Sequence, residues 1–323
     1  MKSTLMRLGA VWGLGLLLIV LLITFSVLLP DTFPTAFTFS SLASSRSIYA
    51  MAALAVMIPL IANQFDLSVA GVIGLSQILA IGLQTQSGIS WPTTCAIVLA
   101  IGMCVGAVNA WLVAYVRIHS FVATLGVGSV LIGLLQWYTQ GRQVVGDLPE
   151  AYIALASRLP GTLIPMPMIY ALVLALILWI IFEYSPFGRH LYVIGDNPRA
   201  AQLNGIPEQR YTAYAFIAAG FVAALTGIIL QAQLRIGQST VGQEFLLPAF
   251  SAALLGATTI KPGRVNVWGT MIAVAVLAVT VGGLNQLGAP FFVEPLFNGL
   301  MLTIAVGLSV TAARRREAAV TEK

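Results

Sequence analysis

Residues 169–182 read Ile169-Tyr-Ala-Leu-Val-Leu-Ala-Leu-Ile-Leu-Trp-Ile-Ile-Phe182, an apolar run without a charge. A half-buried strand, or the wall of a membrane barrel, would alternate apolar and polar residues with period two. This run does not, and neither does Gly9–Leu29. A continuous apolar segment with lipid around it must close its backbone hydrogen bonds within itself, and a helix does so. The rest of the chain extends the same pattern. Its 323 residues are 59% hydrophobic and 8% charged, with mean hydropathy +0.93, whereas soluble domains carry roughly 25% charged residues. A soluble fold of this length has too little interior to hide so much apolar surface. The expected class is an all-α integral membrane protein.

Outward from this run, about ten apolar segments are predicted, near 9–29, 47–63, 67–83, 93–115, 121–139, 164–183, 212–233, 245–259, 266–285 and 294–312. The shortest, 245–259, falls below the roughly 20 residues of a straight span and reads as broken or partial. Only Gln64-Phe65-Asp66 separates the second from the third, so the chain reverses tightly there. Lys2 and Arg7 precede the first run as in a signal peptide. That run, however, is long and has no small-x-small cleavage site, so a retained span is expected. No linker divides residues 1–323, which read as one transmembrane domain. Spans two to five and seven to ten form two groups of four with opposite orientation, the arrangement of an inverted repeat. Cys95 and Cys104 share one predicted helix, about 13 Å apart along its axis, too far for a disulfide.

Ten spans with the N-terminus inside put twelve of the sixteen Lys and Arg residues on the cytoplasmic side, leaving Arg46, Arg142, Arg158 and Arg235 outside. This satisfies the positive-inside rule and puts both termini in the cytoplasm. The basic residues sit at the ends of apolar runs, with no basic aromatic patch, so nucleic acid is not an expected partner. Asp, Glu, Lys and Arg all fall in predicted loops or near helix ends. Ionisable groups inside spans are costly and mark ion or proton pathways; here the helix centres offer neutral Gln77, Asn109, Thr124, Ser129 and Ser251. A transported solute is then expected to be neutral, with driving force from outside the chain. No G-x-x-x-x-G-K-[ST] phosphate cradle, H-E-x-x-H pair or paired-carboxylate helix is present. No cofactor, metal or catalytic residue is expected, and His119 and His190 read as interfacial aromatics.

One polar island interrupts the apolar pattern, Tyr184 to Tyr211, and the predicted topology makes it cytoplasmic. Within it Asn197 suits an N-cap and Pro198 the first helical position. Ala200 and Ala201 favour helix, Gly205 suits the left-handed C′ position, and Pro207 prevents resumption. A helix of about seven residues is too short to stand alone. It is either a connector lying on its own membrane domain or a knob that inserts into a groove on a soluble partner. For the knob, Ala200 and Ala201 permit close approach, and Leu203 and Ile206 supply apolar contact.

The stretch Gly195-x-Asn197-x-x-Ala200-Ala201-x-x-x-Gly205-Ile206 resembles the coupling-loop motif of permease subunits in bacterial ABC importers for ribose-type sugars, within the branched-chain amino acid and ribose permease superfamily. Asp66-Leu67-Ser68-Val69 is similar to that family's Gly-Ile-Asp-Leu-Ser-Val-Gly. Ile118-x-x-Phe121-x-x-Thr124-Leu125-Gly126 is similar to its Ile-Pro-x-Phe-x-x-Thr-Leu-Gly. Leu255-Gly256 through Gly269-Thr270 resembles its last Gly-rich cytoplasmic turn. The four stretches occur in the expected order over nearly the whole chain. Gln64-Phe65, Ala70, His119 and Lys261-Pro262 depart from the pattern and leave the sugar open.

The resemblance implies an inner-membrane permease whose second copy or paralogue completes the pathway. Two cytoplasmic ATPase subunits would dock on the coupling helices, Gly195, Asn197, Pro198, Ala200, Ala201, Leu203, Gly205 and Ile206 forming the contact. An extracytoplasmic binding protein would deliver the solute. A monosaccharide is the leading candidate, with a polyol, nucleoside or furanosyl signal molecule as alternatives; an ion-coupled secondary transporter and a membrane enzyme are the readings outside the family. Asp66 either caps the third span or hydrogen-bonds a sugar hydroxyl. Ser68, Gln77, Thr124 and Asn285 are the other candidates for the translocation path. Gly102 and Gly106 form a small-xxx-small pair expected to serve helix packing.

Overall fold

The computed structural model describes the backbone of residues 2–321 and the side chains of residues 12–307. The side chains of Lys2, Arg7, Arg314, Arg315, Arg316 and Lys323, which carry part of the charge asymmetry, lie outside the described residues. The fold is all-helical. In chain order the helices are α1 (Lys2–Leu28), α2 (Ala36–Ile61), α3 (Val69–Thr85), α4 (Trp91–Ala110), α5 (Ser120–Thr139), α6 (Glu150–Ile153) and α7 (Met166–Tyr184). They continue with α8 (Pro186–Asp196), α9 (Pro198–Leu203), α10 (Glu208–Leu234), α11 (Val241–Glu244), α12 (Leu246–Gly256), α13 (Val267–Gln286) and α14 (Val293–Thr321). Among the described residues six helices are long and apolar enough to cross a membrane, and four shorter apolar helices join them. The chain is a multi-pass membrane protein.

The helix ends follow from local chemistry. Pro92, Pro167, Pro186 and Pro198 stand in first turns, where their missing N–H is not needed. The left-handed backbones of Gln140 and Arg235 stop α5 and α10. The segment 245–259 is partial rather than broken: α12 runs uninterrupted from Leu246 to Gly256, 11 residues, shorter than a straight span. Helix α2 starts at Ala36, well before the apolar run, so Arg46 lies inside a helix. It donates to Glu294 Oε1 at 2.9 Å and its guanidinium stands 4.9 Å from the Tyr49 ring centre. A charge neutralised in this way can occupy a helix that hydropathy alone would start later.

The chain packs as two compact units, Ile58–Leu246 and Met1–Met57 with Leu247–Lys323. In the first, α10 lies against α3 and α4. Gly102 and Gly106 of α4 meet α10 backbone to backbone: a Cβ on Gly106 would stand 2.4 Å from the Phe216 carbonyl oxygen, and one on Gly220 2.2 Å from that of Gly102. The small-xxx-small pair therefore serves packing. Cys95 and Cys104 are free; Cys95 is half-buried and Cys104 is exposed. The loop after α5 is pinned by Tyr152, which is fully buried, donates to the Ile228 carbonyl at 3.0 Å and tilts against Trp91.

In the second unit α1 packs on α13, with Phe25 against Gly283. The turn between α12 and α13 is closed by Asn266. Its Oδ1 accepts from Gly269 N–H at 2.8 Å, and its Nδ2 donates to the carbonyls of Gly256 and Thr259. Side chains at Gly256 and Gly269 would collide across this turn, which accounts for both glycines of the Gly-rich stretch.

Candidate functional site

The polar island folds as two helices. The 11-residue α8 was not anticipated from sequence, although Ser185-Pro186 carries its signal: the Ser185 hydroxyl accepts from Gly188 N–H as an N-cap. Leu191 and Ile194 are buried at helical spacing, and the face they define extends to Phe187, which stacks between Phe182 and Tyr211. His190 lies edge-on to Tyr211 at 4.8 Å, a packing aromatic in this structure. Gly195 touches the end of α2; a Cβ there would stand 2.0 Å from the Ile61 carbonyl oxygen.

The next helix is α9. Asn197 Oδ1 accepts from Ala200 N–H at 3.0 Å, Pro198 takes the first position, and Gly205 has φ +74°. Ile206 N–H then reaches back to the Ala201 carbonyl at 3.0 Å and closes the C-terminus. The residues split by direction. Ala201 is fully buried within the chain, whereas Leu203 is 82% exposed. Asn197, Pro198 and Gly205 are exposed, and Gly195, Ala200 and Ile206 are half-buried. The helix rests on its own protein through Ala201 and holds an uncovered leucine outward.

A buried polar joint forms the second constellation. Asp66 Oδ1 accepts from Ser68 N–H at 3.0 Å and from Ser68 Oγ at 2.6 Å. Asn109 Nδ2 donates to Ser68 Oγ at 2.7 Å and, more weakly, to Asp66 at 3.4 Å. Thr124 Oγ1 accepts from Leu67 N–H at 3.1 Å and donates to the Ser120 carbonyl, while Ser120 Oγ accepts from Phe65 N–H at 3.1 Å. These bonds tie the α2–α3 connection to α4 and α5 and satisfy backbone groups ahead of α3. Burial raises the Asp66 carboxyl from 3.8 to about 6, against the lowering effect of the two Ser68 hydrogen bonds. Sequence pattern singled out Asp66, Ser68 and Thr124 separately; the fold joins them and adds Ser120, which no motif distinguished.

Gln77 stands apart from this joint, further along α3. It is fully buried, its Nε2 donates to the Ile236 carbonyl and its Oε1 accepts from Gln238 N–H at 3.2 Å. Both ends of its amide are thus used to hold the segment after α10. Asn285 is exposed at the end of α13, in the other unit. Among the described residues no three His, Cys, Asp or Glu side chains gather to hold a metal ion.

Residues 38–308 match the family described as branched-chain amino acid transport system / permease component. The ribose import permease protein RbsC of Bacillus subtilis (strain 168) is 31% identical over 300 residues, covering 93% of this chain and 91% of that protein. The autoinducer 2 import system permease protein LsrD of Klebsiella pneumoniae is 31% identical over 267 residues, covering 79% and 77%. LsrD of Escherichia coli (strain K12) is 29% identical over 319 residues, covering 96% of each chain. No solved structure matches the chain.

Proposed function

This chain belongs to the branched-chain amino acid transport system / permease component family, and we propose that it forms the path for a neutral, hydroxyl-rich solute in an ATP-driven importer, with a monosaccharide as the leading candidate. The permease role follows from the family; the chain itself is not catalytic. The single observation that carries the coupling part is α9, a capped six-residue helix that seats Ala201 inward and leaves Leu203 uncovered. An exposed leucine on a soluble-facing connection pays in ordered water unless a partner covers it, and a groove on an ATPase subunit is the partner this reading assigns. Closure of the ATPases would then move α9, and through Gly195 and Ala201 the end of α2 and the start of α10. A second permease copy or paralogue and an extracytoplasmic binding protein complete the assembly. The family match spans both compact units, which supports treating residues 1–323 as one permease domain.

The solute class rests on the neutral polar groups at the helix centres of the sequence and on the ribose permease among the relatives. The autoinducer 2 permeases favour a second reading, a furanosyl signal molecule carried by the same machinery. Ligand binding by the partner binding protein separates the two. The coupling reading is tested by Leu203→Glu. Co-purification of the ATPase subunit and solute uptake should each fall roughly tenfold or more, the loss of about 1.4 kcal/mol or more expected of a central apolar contact, at an unchanged membrane level of the permease. Full complex formation and full uptake in this variant would count against the contact. Uptake by the chain alone, driven by an ion gradient, would replace the ATPase reading with a secondary transporter.

A further inference from the structure

A cavity of about 860 Å³ lies wholly within the unit Ile58–Leu246. Three connections wall it: residues 63–65 after α2, residues 117–120 before α5, and Gln202 with residues 205–210 around the end of α9. Its size is that of a small-molecule site, for which roughly 300–1,000 Å³ is usual. Arg117 and Arg210 both line it and are exposed, and neither has an acidic partner among the described residues. The one carboxylate in the wall, Glu208, already accepts from Gln202 Nε2. Amide side chains at Asn63, Gln64 and Gln209 also line it, together with His119, Ser120 and Thr212.

The backbone supplies an independent sign that Arg117 is held in place. It has φ +66°, the left-handed region that a long side chain rarely adopts. It follows the π-helical turn Trp111–Tyr115, and Ile118 N–H closes the turn on the Leu112 carbonyl at 3.0 Å. This is the left-handed helix stop also seen at Gln140 and Arg235, and it fixes the backbone of Arg117 at the cavity wall.

We propose that this cavity binds a phosphate monoester of a small polyhydroxy compound. Arg117 and Arg210 hold the phosphate, because a planar guanidinium pairs with phosphate oxygens through two parallel hydrogen bonds. The amides of Asn63, Gln64 and Gln209 serve the hydroxyls. Arg117 belongs to the connection before α5, and Arg210 to the first turn of α10, directly after the coupling segment. An anion bridging them ties that segment to the membrane domain, so its occupancy slows import. The consequence for import rests on the proposed ATPase coupling; the binding does not. The headgroup of an anionic phospholipid is a phosphate diester whose anionic oxygens the same two guanidinium groups can pair with, and the experiment separates the two sources.

The full chain in nanodiscs of phosphatidylcholine is titrated calorimetrically with ribose 5-phosphate, inorganic phosphate and ribose. Saturable binding of ribose 5-phosphate is expected, and excess ribose should not compete for it. Arg117→Gln and Arg210→Gln should each weaken it at least tenfold, while Arg189→Gln, an exposed arginine outside the cavity, leaves it unchanged. Nanodiscs containing phosphatidylglycerol form the second arm. Unchanged ester affinity assigns the site to a soluble ester, and competitive loss of ester binding assigns it to the lipid headgroup; both keep the anion site. Absence of saturable ester binding in phosphatidylcholine, or an equal loss in Arg189→Gln, overturns it. In the third arm the complex with its ATPase should show ester-inhibited uptake in wild type and not in Arg117→Gln; binding without inhibition overturns the regulatory consequence. Failure of the ATPase to assemble would remove the transport reading while leaving the nanodisc titration intact.

Discussion

At the scale of single residues, Asp66 and Gly195 show how much a local environment changes what a residue type does. Asp66 carries a carboxyl buried within the α2–α3 connection, raised from 3.8 to about 6 by that burial. The folded state therefore binds this proton more tightly than the unfolded chain. Its contribution to stability is fully present below pH 4 and is lost as pH rises through about 6, a change of about 3 kcal/mol for a shift of this size. The melting temperature of the detergent-solubilised protein should fall between pH 4 and pH 7 by more in wild type than in Asp66→Asn, which keeps an acceptor for Ser68 without the titration. Equal pH dependence in the two proteins would show that the carboxyl is not the titrating group. Gly195 lies where the Ile61 carbonyl leaves no room for a methyl group. Gly195→Ala should lower stability by about 1–3 kcal/mol through forced backbone shifts, read as a lower melting temperature. In the family motif this glycine reads as part of the coupling contact; its close approach to α2 explains it equally as packing.

At the scale of elements, the caps of α9 were legible in the sequence because Asn, Pro and Gly each act within a few residues of their own position. The direction of the helix was not. Ala200 and Ala201 look equivalent on paper as small residues permitting close approach, yet Ala201 faces its own protein and Leu203 faces away. Which side of a short helix is covered depends on α8 and α10, distant in the local pattern. The α4–α10 contact shows the opposite case. A G-xxx-G spacing already points to close helix approach, and its partner surface, Phe216 to Ala224, supplies backbone and small side chains at matching positions. Gly106→Val should prise these helices apart and destabilise the protein by about 3 kcal/mol or more. A thermal melt and the yield of monodisperse protein in detergent measure this, and a melt unchanged from wild type would mean that the contact is looser than the backbone distances indicate.

At the scale of the whole molecule, sidedness is the property on which the function depends. The loop with Glu150 and the short helix α9 with Leu203 are separated by one long apolar helix, α7, so they should face opposite aqueous phases. In a Cys95→Ala, Cys104→Ala background, Glu150→Cys should react with a membrane-impermeant thiol reagent in intact cells. Leu203→Cys should react only after the membrane is opened; labelling of both from the same side would invert or break the topology. Much of this molecule was decided by sequence alone. Lipid as solvent, helices as the spanning structure and the capped connector all follow from composition and short-range chemistry, since backbone groups in hydrocarbon leave few alternatives. The joining of Asp66, Ser68, Asn109 and Thr124, the occupation of Gln77 by the backbone after α10, and the gathering of Arg117 and Arg210 around one cavity were decided by the tertiary structure. These residues come from separate helices and connections, and only packing sets the distances between them, on which hydrogen bonds and charge pairing depend.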